Sequence, residues 1–117
     1  KDGAIGNPAL VRNLPNKATI NSTMMLVRPN KTLNSRYFYH ILGSVYFERL
    51  KYRCLSGSAI PHIFQADMKD FDFPLPPIEQ QENIATKLDQ IDQTLEKIND
   101  KINSTRALQI SLINQIF

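Results

Sequence analysis

The sequence predicts an α+β protein in which short strands and one helix precede one long C-terminal helix of coiled-coil type. Apolar residues recur every three or four positions across residues 78–117, with no glycine or proline between them, which indicates a helix. Short apolar runs at residues 9–11 and 23–27 are typical of strands. The length of 117 residues, with 42% hydrophobic and 21% charged residues, fits one globular unit.

The first elements lie between turn residues. Gly3 to Asn7 contains two glycines and predicts a turn, after which residues 9–11 form a short strand. Residues 23–27 predict a second strand that ends before Pro29, because proline cannot donate a backbone hydrogen bond to a sheet.

A helix is predicted from Asn34 or Ser35, either of which can cap it, to about Arg53. One face carries the apolar side chains Phe38, Ile41, Leu42, Val45 and Tyr46. Arg49, Lys51 and Arg53 crowd the last turn, where cations complement the helix dipole. Next we expect a loop over residues 56–61, a short strand at 63–64, one helical turn over 65–70 and an extended stretch over 71–77.

The last element is a continuous helix from about Glu79 to Ile116, roughly 57 Å long at about 1.5 Å per residue. Its heptad seam passes through two polar positions, Thr105 and Gln109. The predicted helix-pairing residues are Ile84, Leu88, Ile91, Leu95, Ile98, Ile102, Leu112 and Ile116. Because exposed stripes of Ile and Leu are unfavourable in water, we expect the seam to pack on another helix. The alternative is that the helix folds back on the N-terminal part.

Charge divides the chain at Pro77. Residues 1–77 contain ten Lys or Arg and five Asp or Glu, a net charge of +5, whereas residues 78–117 contain four and six, a net charge of −2. A basic surface on a small domain indicates a polyanionic partner, of which nucleic acid is the commonest. A solvated basic surface without such a partner is the alternative.

Few residues offer catalytic chemistry. His40, His62 and Cys54 are scattered singly, and no glycine-rich phosphate loop is present, so we predict no metal, no cofactor and no enzymatic activity. The alternative is a nuclease in which Asp67, Asp70 and Asp72 hold magnesium. Because a single cysteine forms no internal disulfide and no signal peptide or long apolar run is seen, we expect a cytoplasmic protein outside the membrane. The start at Lys1 indicates a piece of something longer.

Several motifs carry a family resemblance. They are Gly57-Ser-Ala-Ile-Pro-His-Ile63, Phe73-Pro-Leu-Pro-Pro-Ile-Glu-Gln-Gln81, Lys87-Leu-Asp89 and the lead-in Lys1-Asp-Gly-Ala-Ile-Gly6. Together they resemble the specificity (S) subunits of type I restriction-modification systems, in which a "P-L-P-P-L-x-E-Q" segment leads from a target recognition domain into a long helix. The resemblance is loosest over residues 7–53, where recognition domains differ because they recognise different sequences.

The resemblance implies a noncatalytic DNA specificity module. Residues 1–77 would be the C-terminal portion of one target recognition domain, and residues 78–117 the spacer and dimerisation helix. Its partners would be double-stranded DNA and the methyltransferase (M) and restriction (R) subunits, and the parent protein is either a separate subunit or a fused enzyme. Since the sequence holds no second recognition domain, we expect a two-fold dimer with antiparallel helices. The alternative function is a helical scaffold without independent DNA binding.

The charge pattern and the resemblance together predict the DNA-binding residues. Two turns, residues 1–7 and 56–62, are expected to approach DNA with the end of the preceding helix, with Gly3 and Gly57 allowing a close approach of the backbone. The predicted DNA-binding residues are Lys1, Asn7, Lys51, Arg53, Ser56, Ser58 and His62. Tyr37, Phe38 and Tyr39 are either stacking platforms for bases or core residues.

Overall fold

The computed structural model describes residues 5–56 and 62–117. Within these ranges the regular structure is helical. The helices are α1 at Ser35–Leu42, α2 at Val45–Leu55, α3 at Gln65–Lys69 and α4 at Ile78–Ile116. None of the described helices combines the length and the hydropathy needed to cross a membrane.

The predicted α+β class is wrong, because the described residues form no strand. Residues 9–11, 23–27 and 63–64 lie outside regular structure. The described backbone hydrogen bonds around residues 21–33 close turns, from Met24 N to Asn21 O and from Leu33 N to Asn30 O, each 3.2 Å long. A strand requires a neighbouring strand as hydrogen-bond partner, and the apolar pattern supplies the pleated face but not that neighbour. The apolar side chains at positions 24–27 are accordingly 37% to 60% exposed.

The single helix predicted from residue 34 or 35 to 53 is also wrong, since α1 and α2 are separate. Gly43 ends α1 and Ser44 caps α2. The Ser44 hydroxyl accepts a hydrogen bond from Tyr46 N over 3.3 Å and donates one to Ile41 O over 2.6 Å. One side chain therefore satisfies polar groups of both helix ends, which makes the break stable.

The N-terminus of α1 matches the prediction. Asn34 is its cap, and the side-chain oxygen of Asn34 accepts hydrogen bonds from Arg36 N and Tyr37 N over 3.0 and 3.1 Å. Such a cap stabilises a helix by about 1 kcal/mol. The N-terminus of α3 is organised differently, because Asp67 Oδ2 in its first turn accepts a hydrogen bond from Phe64 N over 2.7 Å.

The core is built around α1. Tyr37, Phe38 and Ile41 are buried together with Ala85 of α4, and they pack against Leu33, Leu42, Met68, Phe71 and Phe73. Aromatic rings form much of this packing, with centroids 5.5 Å apart for Phe38 and Phe73. The Tyr37 hydroxyl donates a hydrogen bond to Pro74 O over 2.7 Å, so its polar end is satisfied within the core. Tyr37 and Phe38 are therefore core residues and do not stack on bases.

The chain divides into two compact units, Lys1–Ala85 and Thr86–Phe117. The first two turns of α4 belong to the first unit, and the second unit consists of the rest of that helix and its end. The predicted long helix is confirmed, with its start at Ile78 instead of Glu79. Six seam residues of the second unit are 44% to 74% exposed: Ile91, Leu95, Ile98, Ile102, Leu112 and Ile116.

Candidate nucleic-acid interface

A cleft of about 1320 Å³ lies in the first unit, between α2 and residues 70–74. Its charged lining residues are of both signs. Arg49, Lys51 and Arg53 contribute cations from α2, and Glu48, Asp70 and Asp72 contribute carboxylates. The lining of the cleft therefore combines three cations of α2 with three carboxylates.

The periodicity of α2 decides which side chains face this cleft. Phe47 and Leu50 are buried on the core side of the helix. Tyr52 and Arg53 lie three and four residues after Arg49, so the three side chains share the opposite face. Tyr52 on this face is 74% exposed and also lines the cleft.

Lys51 has contacts within its own helix. Its ammonium group forms an ion pair with Glu48 and lies 5.6 Å from the ring centroid of Phe47. The Lys51 side chain is only 18% exposed. A phosphate contact by Lys51 would therefore have to compete with the Glu48 carboxylate.

Arg53 is more open. Its Nη2 donates a hydrogen bond to the main-chain oxygen of Asp70 over 3.5 Å, at the limit of hydrogen-bond length. Arg53 is exposed and lines the cleft, and its guanidinium group has further N–H donors besides Nη2. Of the two predicted DNA-binding cations of α2, Lys51 forms an ion pair, whereas Arg53 lines the cleft without one among the described residues.

The structure brings one predicted turn next to α2. Gly6 has φ +66°, and a methyl group at this position would lie 2.9 Å from Lys51 Cδ and 2.9 Å from Phe47 Cε1. It would also lie 3.1 Å from Ile63 Cδ1. Residue 6 must be glycine for both reasons, because the left-handed backbone and the close packing each disfavour a Cβ. Asn7, the next residue, is exposed.

The other predicted DNA-binding residues are distributed differently. Ser56 ends α2, and its hydroxyl donates a hydrogen bond to Arg53 O over 3.0 Å. The exposed His62 has its ring 4.6 Å from that of Phe64, where both line a smaller cavity of about 340 Å³ with residues 20–26. Lys1, Ser58, Gly3 and Gly57 lie outside the described residues.

Sequence reasoning missed Gln81, which is completely buried. Its side-chain oxygen accepts a hydrogen bond from Asn34 N over 2.8 Å. Its side-chain nitrogen donates to Thr32 O over 2.9 Å and to Pro76 O over 2.8 Å. The signal in the sequence was a polar residue one turn before the apolar Ala85, at a position facing the core.

The three aspartates of the nuclease alternative do not converge. Across residues 5–56 and 62–117, no group of three or more His, Cys, Asp or Glu is arranged to hold a metal ion. Asp67 is engaged with Phe64 N and with the Cys54 thiol. Burial raises the pKa of Cys54, and the nearby carboxylate of Asp67 raises it further, which disfavours a reactive thiolate.

A comparison with protein families identifies the family of the chain. The family described as "Type I restriction modification DNA specificity domain" matches residues 3–105, most of the chain. The chain belongs to this family. The predicted family is therefore confirmed, and the match includes both the basic half and most of α4.

Known type I specificity subunits are similar to the chain. The type I restriction enzyme MjaVIII specificity subunit of Methanocaldococcus jannaschii is 28% identical over 109 residues, covering 89% of this chain and 24% of that subunit. The EcoR124I/EcoR124II specificity subunit of Escherichia coli is 29% identical over 83 residues, covering 71% of the chain and 20% of the subunit. The putative MjaX specificity subunit of M. jannaschii is 26% identical over 118 residues, covering 97% and 27%.

The chain thus spans about a quarter of the length of these specificity subunits. No solved structure gives a significant match to it. The family assignment therefore rests on the sequence comparisons, and the structure adds the placement of individual residues.

Proposed function

We propose that this chain is a noncatalytic DNA specificity module of a type I restriction-modification system, directing methyltransferase and restriction subunits to a bipartite target. The observation that carries the proposal is the match of residues 3–105 to the DNA specificity domain of this family. The net charge of +5 over residues 1–77 supports DNA as the partner. The cytoplasm, where such DNA lies, is the compartment we propose.

The exposed face of α2 supports this proposal at the level of residues. Arg49 and Arg53 line the cleft together with the exposed Tyr52. Guanidinium groups bind phosphate oxygens and base edges, and most of the affinity for DNA comes from such cationic contacts. We propose that this face and the two turns predicted from the sequence, residues 1–7 and 56–62, lie against DNA.

The exposed seam of α4 supports a second part of the proposal, self-association. Burial of one Ile or Leu side chain contributes about 1.5 to 3 kcal/mol, so pairing of two seams would be strongly favourable. We propose that two chains pair through Ile91, Leu95, Ile98 and Ile102 in a two-fold dimer with antiparallel helices. The heptad spacing is compatible with either direction, and the antiparallel choice follows the family resemblance.

A second candidate function is a helical scaffold that binds no DNA alone. The balance of cations and carboxylates in the cleft favours it, because carboxylates repel phosphates. The 20% to 27% coverage of the relatives also leaves room for DNA-binding elements supplied by other parts of such subunits.

Binding to duplex DNA at several salt concentrations tests the proposal. A DNA-binding module neutralises phosphates, so the logarithm of its affinity falls linearly with the logarithm of salt concentration, by about 0.9 per phosphate contacted. We expect fluorescence anisotropy of a labelled duplex to show this slope. No binding at low salt would instead favour the scaffold. Cleavage of the duplex by the purified chain with magnesium would contradict a noncatalytic role.

A further inference from the structure

The cleft beside α2 holds carboxylates that phosphate binding does not explain. Lys51 and Glu48 form an ion pair, so they neutralise each other. Four charged side chains remain, Arg49 and Arg53 on α2 and Asp70 and Asp72 on the other wall. Among the described residues, no ion pair joins either arginine to either aspartate.

A cleft that bound only phosphates would be weakened by Asp70 and Asp72, since like charges repel. Carboxylates are acceptors of hydrogen bonds and need donors as partners. In the major groove of DNA the donors are the amino groups of cytosine and adenine. A mixed cleft therefore suits base edges better than it suits the phosphate backbone.

The arrangement of Arg53 and Asp70 narrows the choice of base pair. Arg53 Nη2 lies 3.5 Å from the main-chain oxygen of Asp70, so a guanidinium group and a carboxylate-bearing residue are immediate neighbours. A G·C pair presents two acceptors on guanine, O6 and N7, beside the amino donor of cytosine. Arg53 with its donors and Asp70 with its carboxylate line the same cleft, so together they would match these two sets of groups.

Adenine recognition is disfavoured by the composition of the cleft. Asparagine and glutamine are the side chains that contact adenine through paired hydrogen bonds. Neither residue occurs among the described side chains that line the cleft. The exposed arginines also lie on an α-helix, and the major groove is wide enough to admit one.

We infer that the face of α2 beside Asp70 recognises a G·C base pair of the target, with Arg53 donating to guanine O6 and N7 and Asp70 accepting from cytosine N4. This inference rests on the proposed DNA-binding function and adds the base pair and the two residues that select it. Asp70 is then a specificity residue that lowers affinity for the phosphate backbone while it raises selectivity.

Selection from a library of random-sequence duplexes tests the inference. The 117-residue chain is mixed with the library at low salt, and the bound duplexes are sequenced. We expect the wild type to enrich a G·C pair at one position. Arg53→Ala and Asp70→Ala should each reduce that preference by at least about fivefold. For duplexes without the selected G·C pair, Asp70→Ala should bind as tightly as the wild type or more tightly, because it removes a negative charge.

Two matched variants serve as controls. Glu79→Gln removes a carboxylate at the exposed start of α4, and Lys69→Ala removes an exposed cation of α3. Neither residue lines the cleft, so both variants should keep the sequence preference. Circular dichroism checks that every variant keeps its helices.

The outcomes separate the inference from the function on which it rests. Binding by the wild type with a preference that Asp70→Ala leaves unchanged overturns the G·C assignment and leaves DNA binding intact. A uniform gain in affinity for all sequences with Asp70→Ala also overturns the G·C assignment and leaves DNA binding intact. Absence of wild-type binding at any salt concentration overturns independent DNA binding, and the assignment with it.

Discussion

The side-chain oxygen of Gln81 accepts a hydrogen bond from the backbone N–H of Asn34, which lies 47 residues earlier, over 2.8 Å. Asn34 itself caps α1 through its side chain. The first turns of α4 are thereby joined to the start of α1 by a single buried amide. Because the same amide also donates to Thr32 O and Pro76 O, three backbone positions depend on Gln81.

Replacement of Gln81 by alanine should destabilise the first unit strongly. A buried backbone group that loses its hydrogen-bond partner costs about 1 to 3 kcal/mol, and three such groups would be affected. We expect the midpoint of urea unfolding, followed by circular dichroism, to fall markedly. Gln80→Ala is the matched control, since Gln80 is an exposed glutamine of the same helix turn. Equal midpoints for the two variants would argue against a structural role of the Gln81 amide.

Gly6→Ala should also lower stability, because a methyl group would contact Lys51 and Phe47 at 2.9 Å and the backbone has a positive φ. Overpacking of this kind costs about 1 to 3 kcal/mol. Gly43→Ala is the control, since a methyl group there meets only His40 O at 3.5 Å and φ is −93°. We expect thermal unfolding to show a clear loss for Gly6→Ala and little change for Gly43→Ala. The opposite order would contradict the packing of residue 6 on α2.

The double variant Lys51→Ala, Arg53→Ala should weaken binding to every duplex because two cations are lost, and it should weaken binding further for duplexes that carry the selected G·C pair. The Arg53 substitution should cost about 1 kcal/mol or less in stability, because Arg53 is exposed near the end of α2, whereas the Lys51 substitution also removes packing on Phe47. Since Lys51 is paired with Glu48, the single variant Arg53→Ala should account for most of the loss. Anisotropy titrations with several duplexes measure this, and unchanged affinity would remove α2 from the DNA interface.

Substitutions at Ser58 or His62 are expected to change sequence preference instead of overall affinity. His62 is exposed, and its ring is tilted by 48° against that of Phe64 at a centroid distance of 4.6 Å, so it is accessible to a base. Selection from the random duplex library, with His62→Ala and Ser58→Ala compared with the wild type, measures the preference. Identical selected sequences would remove both residues from the set that contacts bases.

The double variant Ile91→Asp, Ile98→Asp should be monomeric if the seam pairs two chains. Each aspartate would place a charge in an apolar contact, and each lost isoleucine forfeits about 1.5 to 3 kcal/mol of burial. Gln93→Asp with Asn103→Asp is the control, because it adds the same charge to the same helix away from the seam. Sedimentation velocity should give dimers for the wild type and this control. A monomeric wild type with an intact helix would favour the fold-back arrangement.

Asp67→Asn should increase the reactivity of Cys54. The Asp67 charge raises the pKa of the thiol, so its removal lowers that pKa and increases the thiolate fraction at a fixed pH near 8. Asparagine keeps an oxygen that can accept the hydrogen bond from Phe64 N. We expect faster alkylation by iodoacetamide than in the wild type, and no change for Asp70→Asn. Equal rates for both variants would show that burial alone sets the reactivity.

The long helix was predictable because its information is local. Apolar residues at heptad spacing from Ile84 to Ile116, without glycine or proline, leave few alternatives to a helix. Asn34 was identified as a cap for the same reason, since capping involves only the next three residues. The break between α1 and α2 also has a local signal, Gly43 followed by Ser44. It was missed because the apolar face continues through Val45 and Tyr46 and favours one uninterrupted helix.

The rest depends on partners distant in sequence. Residues 23–27 have the pattern of a strand, yet pairing needs a second strand that no local pattern specifies. Gln81 has the composition of a surface residue, and its burial follows only from the position of the loop at residues 32–34. Asp70 and Arg53, 17 residues apart, likewise become neighbours through the fold.

The contribution of Gln81 and Ala85 to the first unit has a consequence for how such modules are exchanged between proteins. A chimera joined immediately after Pro77 would take α1 from one parent and its covering residues Gln81 and Ala85 from another. The second parent must supply a glutamine and a small residue at those positions. Otherwise Tyr37, Phe38 and Ile41 lose the packing that buries them on the α4 side. Recombination that preserves folding should therefore have its crossover after Ala85, within the helix itself.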